Sequence, residues 1–515
     1  MCKVLVFGYT ICRMNKPLTA FLSRLTYGEI NKEKNKENSH GFVETLAGVY
    51  ERARNALEYR ADNLVRRAAI ERIVKRIVIL TKDPVKVTDR LLTELRWAKY
   101  ISYEEMKVLD RTSLERVITK YISFIGSIVP TEWILKIASA EIEELFNLNT
   151  DYKQFTFFAY QIIRQKIQIN NPDIDLLTYF ATDKIYAGSD DEQVAYHILG
   201  LAGNTITKDK FEEAWKLFTL ARTHKEISRI SKFVRRQMPP LIILRDTYFY
   251  LPSEFKKILS NKEIFEKRTT EVLENQLDQM SGKISTAGVR SVFYVFLTKM
   301  VLAFGLEVPF EIFAYGHIST LPLAVNLIFP PILMWITTMQ IKLPSKKERS
   351  ALIERSWFIL ENFDLLKDER DVLKNSESGG THNFGYWIFS VLYGIFFVGV
   401  FWIIYSFLGR IGYTFFSKFI FIFFLTIIAF FAYRIAQIAK VYSWKGTENQ
   451  NATLIEILSL PILAIGSRLS QGLSKLNFLA FTFDFILEAP FKIILGFLDS
   501  WVQFLSAKKE EQIIE

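Results

Sequence analysis

The apolar run FLTKMVLAFGLEVPFEIF, Phe296 to Phe313, carries three ionisable side chains, Lys299, Glu307 and Glu311. A second apolar run, NLIFPPILMW, contributes Asn326 and the pair Pro330-Pro331. Charged groups are costly in hydrocarbon, so acids and bases there mark an ion or proton path, a substrate site or a structural pair. On a regular helix Glu307 and Glu311 lie about 40° apart and Lys299 and Glu307 about 80° apart, so all three share a broad face. A separation of two turns puts a tight Lys299–Glu307 bridge out of reach, which leaves Lys299 another partner or a snorkelling path. In the plainest reading Pro309 ends the regular span, Glu307 and Glu311 sit at headgroup level, and only Lys299 is deep. Ion or proton handling, and structural pairing to another helix, are the alternatives. Pro330-Pro331 frees backbone carbonyls. That suits a kinked structural helix better than a transporter's broken helix, because the two pairs of spans show no corresponding interruptions.

Other chemistry is sparse. The five histidines, His40, His197, His224, His317 and His382, are scattered, with no two at metal-ligand spacing. Neither a phosphate-cradling glycine loop ending in Lys-Ser/Thr nor a Gly-x-Ser-x-Gly elbow is present. The acidic AGSDDEQ, Ala187 to Gln193, reads as a helix start capped by Ser189. Cys2 and Cys12 are the only cysteines, which excludes a disulfide framework or a cysteine metal site in the body of the chain. The expectation is a protein that is not an enzyme, with no cofactor and no identifiable small-molecule ligand.

The elements that would position Lys299 and its neighbours follow from composition. Half of the 515 residues are hydrophobic and 15% aromatic, yet 23% are charged. Mean hydropathy is +0.13. This mixture divides unevenly: up to about Gly288 no apolar run approaches the roughly 20 residues that cross a bilayer, and beyond it four do. The expected spans are Ser291–Phe313, Leu321–Ile341, Gly385–Leu408 and Phe419–Ile438. Tyr386, Trp387, Trp402 and Tyr405 occupy the interfacial positions of the third, and its Gly394 and Gly399 offer places for close helix approach. The loop after the second span holds Lys342, Lys346, Lys347, Arg349, Arg355, Lys367, Arg370 and Lys374, whereas AYGHIST, in the first hairpin, has no Lys or Arg. The positive-inside rule then places the N-terminal domain, the middle loop and the C-terminus in the cytoplasm, in a multi-pass protein of the cell membrane.

Before the spans, three-to-four apolar spacing dominates and period-two alternation is scarce, so the soluble half is helical. MCKVLVFGYTICRMNK fits a cleaved signal peptide poorly because Arg13 closes its short apolar core, and Met14 is an alternative start. INKEKNKENSHG reads as a linker. A long helix follows to Leu80, with one coiled-coil-like seam and a basic surface bearing Arg52, Arg60, Arg66 and Arg67; Glu71 and Lys75 are placed to pair four apart. FDFILEAPFKIILGFLDSWVQFLSAKKEEQ is amphipathic and ends in Lys508 and Lys509. Together with Lys346 and Lys347, these basic positions are the candidate lipid or partner contacts. The net charge of +10 favours anionic lipid over nucleic acid for a tethered chain.

RNALEYRADNLVRRAAIERIVKRI, LLTELRWAKYI, VFLTKMVLAFGLEVPFEIF and FDFILEAPFKIILGFLDSWVQFL resemble a family of bacterial polytopic membrane proteins found mainly in genomes of candidate phyla. The likeness runs from about residue 41 to 510. It implies a bacterial membrane location, and no residue role.

The expected architecture is all-α: a linker-like segment at 1–40, a cytoplasmic helical domain at 41–285, a transmembrane hairpin at 286–342, a cytoplasmic loop at 343–384, a second hairpin at 385–440 and amphipathic helices at 450–515. Such a chain suits a membrane-anchored scaffold or assembly factor that binds the bilayer and a protein partner or a second copy of itself. A small oligomeric transporter or channel working through the first span is the alternative.

Overall fold

The computed structural model describes residues 16–26, 65–98, 100–101, 110–146, 151–201, 207–317, 320–369, 371–375 and 382–444, with a few isolated positions between 461 and 501. The fold is all-α, and among the described residues the only strands are two residues long. The chain forms two compact units. Their boundary falls between Gln237 and Met238, inside the stretch expected to be one soluble domain.

The first unit contains Asn15–Gln237 and Asp364–Leu373. Its helices include Val65–Leu80, Thr131–Phe146, Asp151–Gln165, Asp191–Leu201 and Lys208–Thr223. The local signals act as their chemistry requires. Asp83 and Asp110 each accept a backbone N–H at a helix start, from Val85 and Thr112. Asp190, not Ser189, caps Asp191–Leu201: it exchanges bonds with Gln193, while the Ser189 hydroxyl donates to Asp183 at 2.9 Å. Ser189 is drawn away because Asp183 is a buried carboxylate that needs donors. The core is aliphatic and aromatic, with Phe21 against Phe155 and Phe158 and Trp133 against Trp215.

The second unit contains Met238–Phe363 and Lys374–Leu476. Asn261 caps a helix that starts at Lys262 and runs without interruption through Leu302, a π turn at Ala303–Glu307 and Val308–Tyr315. Gly316, at φ +73°, ends it in the left-handed conformation that a residue without Cβ adopts at low cost. The stretches Lys262–Tyr315, Thr320–Met339, Ser390–Arg410 and Phe415–Ala439 are each long and apolar enough to cross a membrane, and are called the first to fourth spans below. The first, second and fourth pack on one another. Gly288 makes room for this, since a Cβ there would lie 2.2 Å from Thr338 Cγ2 on the second span. Pro330 and Pro331 lie inside a continuous helix. Lys346–Glu361 starts in a capping box between Ser345 and Glu348 and is tied to Pro239–Tyr250 by the Ser356 hydroxyl on the Pro240 carbonyl at 3.0 Å.

The third span differs from its neighbours. Only 11% of its most apolar window is buried, against 44% for the fourth. Gly394 and Gly399 face open space, with nothing within 4 Å of a Cβ built on either. They bring no described helix close, contrary to the expectation from sequence. Packing resumes at its end, where Ile404 and Leu408 join Tyr413, Phe421 and Val325.

Candidate functional site

Pro309 controls the local geometry of the first span. Having no N–H and a ring that crowds the carbonyl four residues back, it cannot follow a regular α turn without strain. The turn before it is accordingly wide: the Val308 N–H reaches the Ala303 carbonyl, five residues back. The helix therefore continues past Pro309 instead of ending there, and Glu307 and Glu311 stay inside the bundle. The extra residue has a second effect. It absorbs about 100° of rotation, so the roughly 80° between Lys299 and Glu307 falls to near alignment.

The side chains then meet. Lys299 Nζ lies 3.2 Å from Glu307 Oε2, and Asn326 Nδ2 of the second span donates to Glu307 Oε1 at 2.6 Å. Lys299 Nζ also sits 4.8 Å from the centroid of Phe424, on the fourth span. Lys299 and Asn326 are 0% exposed, Glu307 1% and Glu311 2%. The expectation that a Lys–Glu pair two turns apart is out of contact fails because a π turn lies between the two. Glu311, one turn on, accepts from the Ser417 hydroxyl at 2.9 Å and lies 3.4 Å from the Thr414 hydroxyl. Thr414 caps the fourth span, so the Glu311 carboxylate faces a helix N-terminus, where partial positive charge favours it.

Together, Lys299, Glu307 and Asn326 form one cluster, and Glu311 joins it to the start of the fourth span. Sequence reading did not find Thr414, Ser417 or Phe424, because each is ordinary in composition and becomes a partner only when the fourth span packs. Two buried polar atoms nearby, Asn326 Oδ1 on the second span and the Tyr413 hydroxyl in the turn before the fourth, have no hydrogen-bond partner among the described residues. Each Glu307 oxygen has a donor, so the cluster can hold a charge pair in low dielectric and couple three helices. It presents no nucleophile–base pair, and among the described residues no group of three His, Cys, Asp or Glu could hold a metal.

The candidate contact residues divide differently from their expected roles. Arg67 is buried and bonds Glu71 at 2.9 Å and Ser139 at 3.2 Å, with Asp190 Oδ2 2.6 Å from its Nε. Arg66 pairs with Glu143 through three contacts of 2.8 to 3.0 Å. Both are committed to holding the Val65–Leu80 helix on its neighbours, which corrects their assignment to a lipid or partner surface; acids distant in sequence, invisible to a periodicity argument, claim them. Lys346 and Lys347 are exposed just beyond the second span. Arg52, Arg60, Lys508 and Lys509 lie outside the described residues, as do Cys2, Cys12 and the amphipathic tail apart from Trp501.

Two further buried charge networks escaped sequence reading. Lys166 bonds Gln237 at 2.7 Å and pairs with Glu369 at 2.9 Å, holding the returning segment Asp364–Leu373. His197 places Nδ1 2.7 Å from Asp183 and Nε2 2.6 Å from Glu144. Burial alone would lower its pKa, but the two carboxylates outweigh it and raise the value to about 10. Burial acts in the opposite sense on Glu71, where the Arg67 and Lys75 charges prevail and hold the carboxyl at about 2. The Glu71–Lys75 pair expected from spacing is present at 2.9 Å.

No family model, curated protein or solved structure matches the chain.

Proposed function

We propose that this chain is a multi-pass bacterial membrane protein that works without catalysis, as a scaffold or assembly factor carrying a helical interaction domain. The observation that carries this reading is the contrast among the spans. The first, second and fourth are fastened through Lys299, Glu307, Asn326, Glu311 and Ser417, while the third leaves most of its described side chains, including Trp402 and Ile395, exposed or only half-buried. An ion pair whose two carboxylate oxygens are both occupied, with Phe424 over the ammonium, suits a register lock better than a transit site. The loose third span offers a partner helix a face at bilayer depth, where close packing and not hydrophobicity drives association. The charge of the loops supports both termini being cytoplasmic.

Photo-crosslinking residues substituted at Ile395 and Trp402 test this in cells: discrete protein adducts are expected, and adducts with lipid alone reject the scaffold. A small oligomeric channel or transporter is the second reading, favoured by the unpartnered Asn326 Oδ1 and Tyr413 hydroxyl beside an ion pair on a π turn. That reading requires cation or proton flux in proteoliposomes that Glu307→Gln abolishes; the scaffold requires no such flux.

A further inference from the structure

The long helix Lys262–Leu302 has two faces with different chemistry. One runs through Met280, Ile284, Gly288, Ser291, Val295 and Lys299 and is buried. The other is exposed and changes character along its length. Gln279, Lys283, Thr286 and Arg290 come first; Phe293, Leu297, Val301 and, on the π turn, Phe304 continue the same line at steps of three or four. The change occurs where the first span's apolar run begins, so the basic pair stands at headgroup level and the apolar side chains at the level of acyl chains.

The polar end is an open, shallow surface, and among the described residues Gln279, Gly282, Lys283, Thr286, Ala287 and Arg290 border one depression there. Gly282 leaves it open, with nothing within 4 Å of a Cβ built there. Lys283 and Arg290 are two turns apart, about 10 Å along the axis, and their long side chains can converge on one group between them. Neither forms an ion pair with a described residue.

From this we infer that the exposed face of the first span is a binding site for an anionic phospholipid. Its headgroup phosphate sits between Lys283 and Arg290, with Thr286 and Gln279 as further hydrogen-bonding groups, and an acyl chain lies along Phe293, Leu297, Val301 and Phe304. A guanidinium and an ammonium on one phosphate favour a lipid of net negative charge over a zwitterionic one, whose own ammonium competes for the phosphate.

The test uses the full-length chain in mixed micelles of phosphatidylglycerol and phosphatidylcholine, with bound lipid counted by native mass spectrometry. Each basic side chain at an anionic surface favours the charged lipid about fivefold, so enrichment of roughly thirtyfold is expected in the wild type and a return to within about twofold of the micelle ratio in Lys283→Gln/Arg290→Gln. Lys262→Gln/Lys267→Gln, which removes the same charge elsewhere on the helix, is expected to keep the enrichment; an equal loss there overturns the site in favour of diffuse electrostatics. Absence of any preference in the wild type overturns it outright. Displacement of the lipid by millimolar inorganic phosphate overturns the lipid assignment in favour of a free-phosphate site. A photoactivatable phosphatidylglycerol maps the contact on the unmodified chain: adducts are expected between 279 and 304, and adducts confined to other helices overturn the inference.

Discussion

At the scale of residues, Lys299 and Glu307 are worth more as a pair than either is alone. Removing one partner of a buried ion pair leaves an uncompensated charge, at about 3–5 kcal/mol, whereas removing both is nearly neutral. Lys299→Met is therefore expected to lower the unfolding midpoint in nanodiscs sharply, and Lys299→Met/Glu307→Gln to recover most of it; additive losses would show that the two do not interact. His197 makes a prediction in pH. Its pKa is raised from 6.5 to about 10 by Asp183 and Glu144. Protonation is thus favoured by folding, and the stabilisation is fully present below pH 6.5 and lost as pH rises toward 10. Thermal unfolding of the wild type should shift downward across that window, while His197→Gln should start lower and stay flat. A parallel decline in both would remove His197 as the cause.

At the scale of elements, the π turn and the Gly288 contact decide which side chains meet. Deleting Gly305 restores α periodicity and swings Glu307 by about 100° relative to Lys299, breaking the pair. The deletion variant should behave like Lys299→Met in stability, and restoring the pair by a compensating insertion at 303–307 should reverse the loss. Gly288→Ala drives a methyl against Thr338 Cγ2, at an expected cost of about 1–3 kcal/mol. Adding Thr338→Ser removes that Cγ2 and should restore the unfolding midpoint; if it does not, the close approach of the first two spans is not what Gly288 provides.

At the scale of the whole molecule, the four spans do unequal work. Gly394→Leu/Gly399→Leu adds bulk where no described residue comes within 4 Å of a Cβ. Such substitutions away from packed features change stability by about 0.5 kcal/mol or less. The predicted outcome is an unchanged unfolding midpoint together with weaker photo-crosslinking from the third span to its partner. A drop in the midpoint instead would mean that the third span packs within the chain.

Sequence alone determined what depends on composition and local periodicity. Apolar runs of bilayer length are visible without knowing their neighbours, and each of the four spans overlaps the run expected of it, the second ending two residues earlier and the third starting five residues later than expected. Helix starts at Thr131 and Asp151, and the Glu71–Lys75 pair, are equally local. The presence of Lys299, Glu307, Glu311 and Asn326 in apolar surroundings was legible for the same reason. Their geometry was not. A π turn shifts the phase of everything beyond it, and no spacing rule that assumes a constant angle per residue can anticipate that. Only the tertiary structure decided that Arg66 and Arg67 are spent on Glu143, Glu71 and Asp190, that His197 stays charged between two acids, and that three spans lock while the third stands apart. Each of these turns on contacts between residues far apart in the chain, and one helix's sequence carries no record of which charge another helix brings to it.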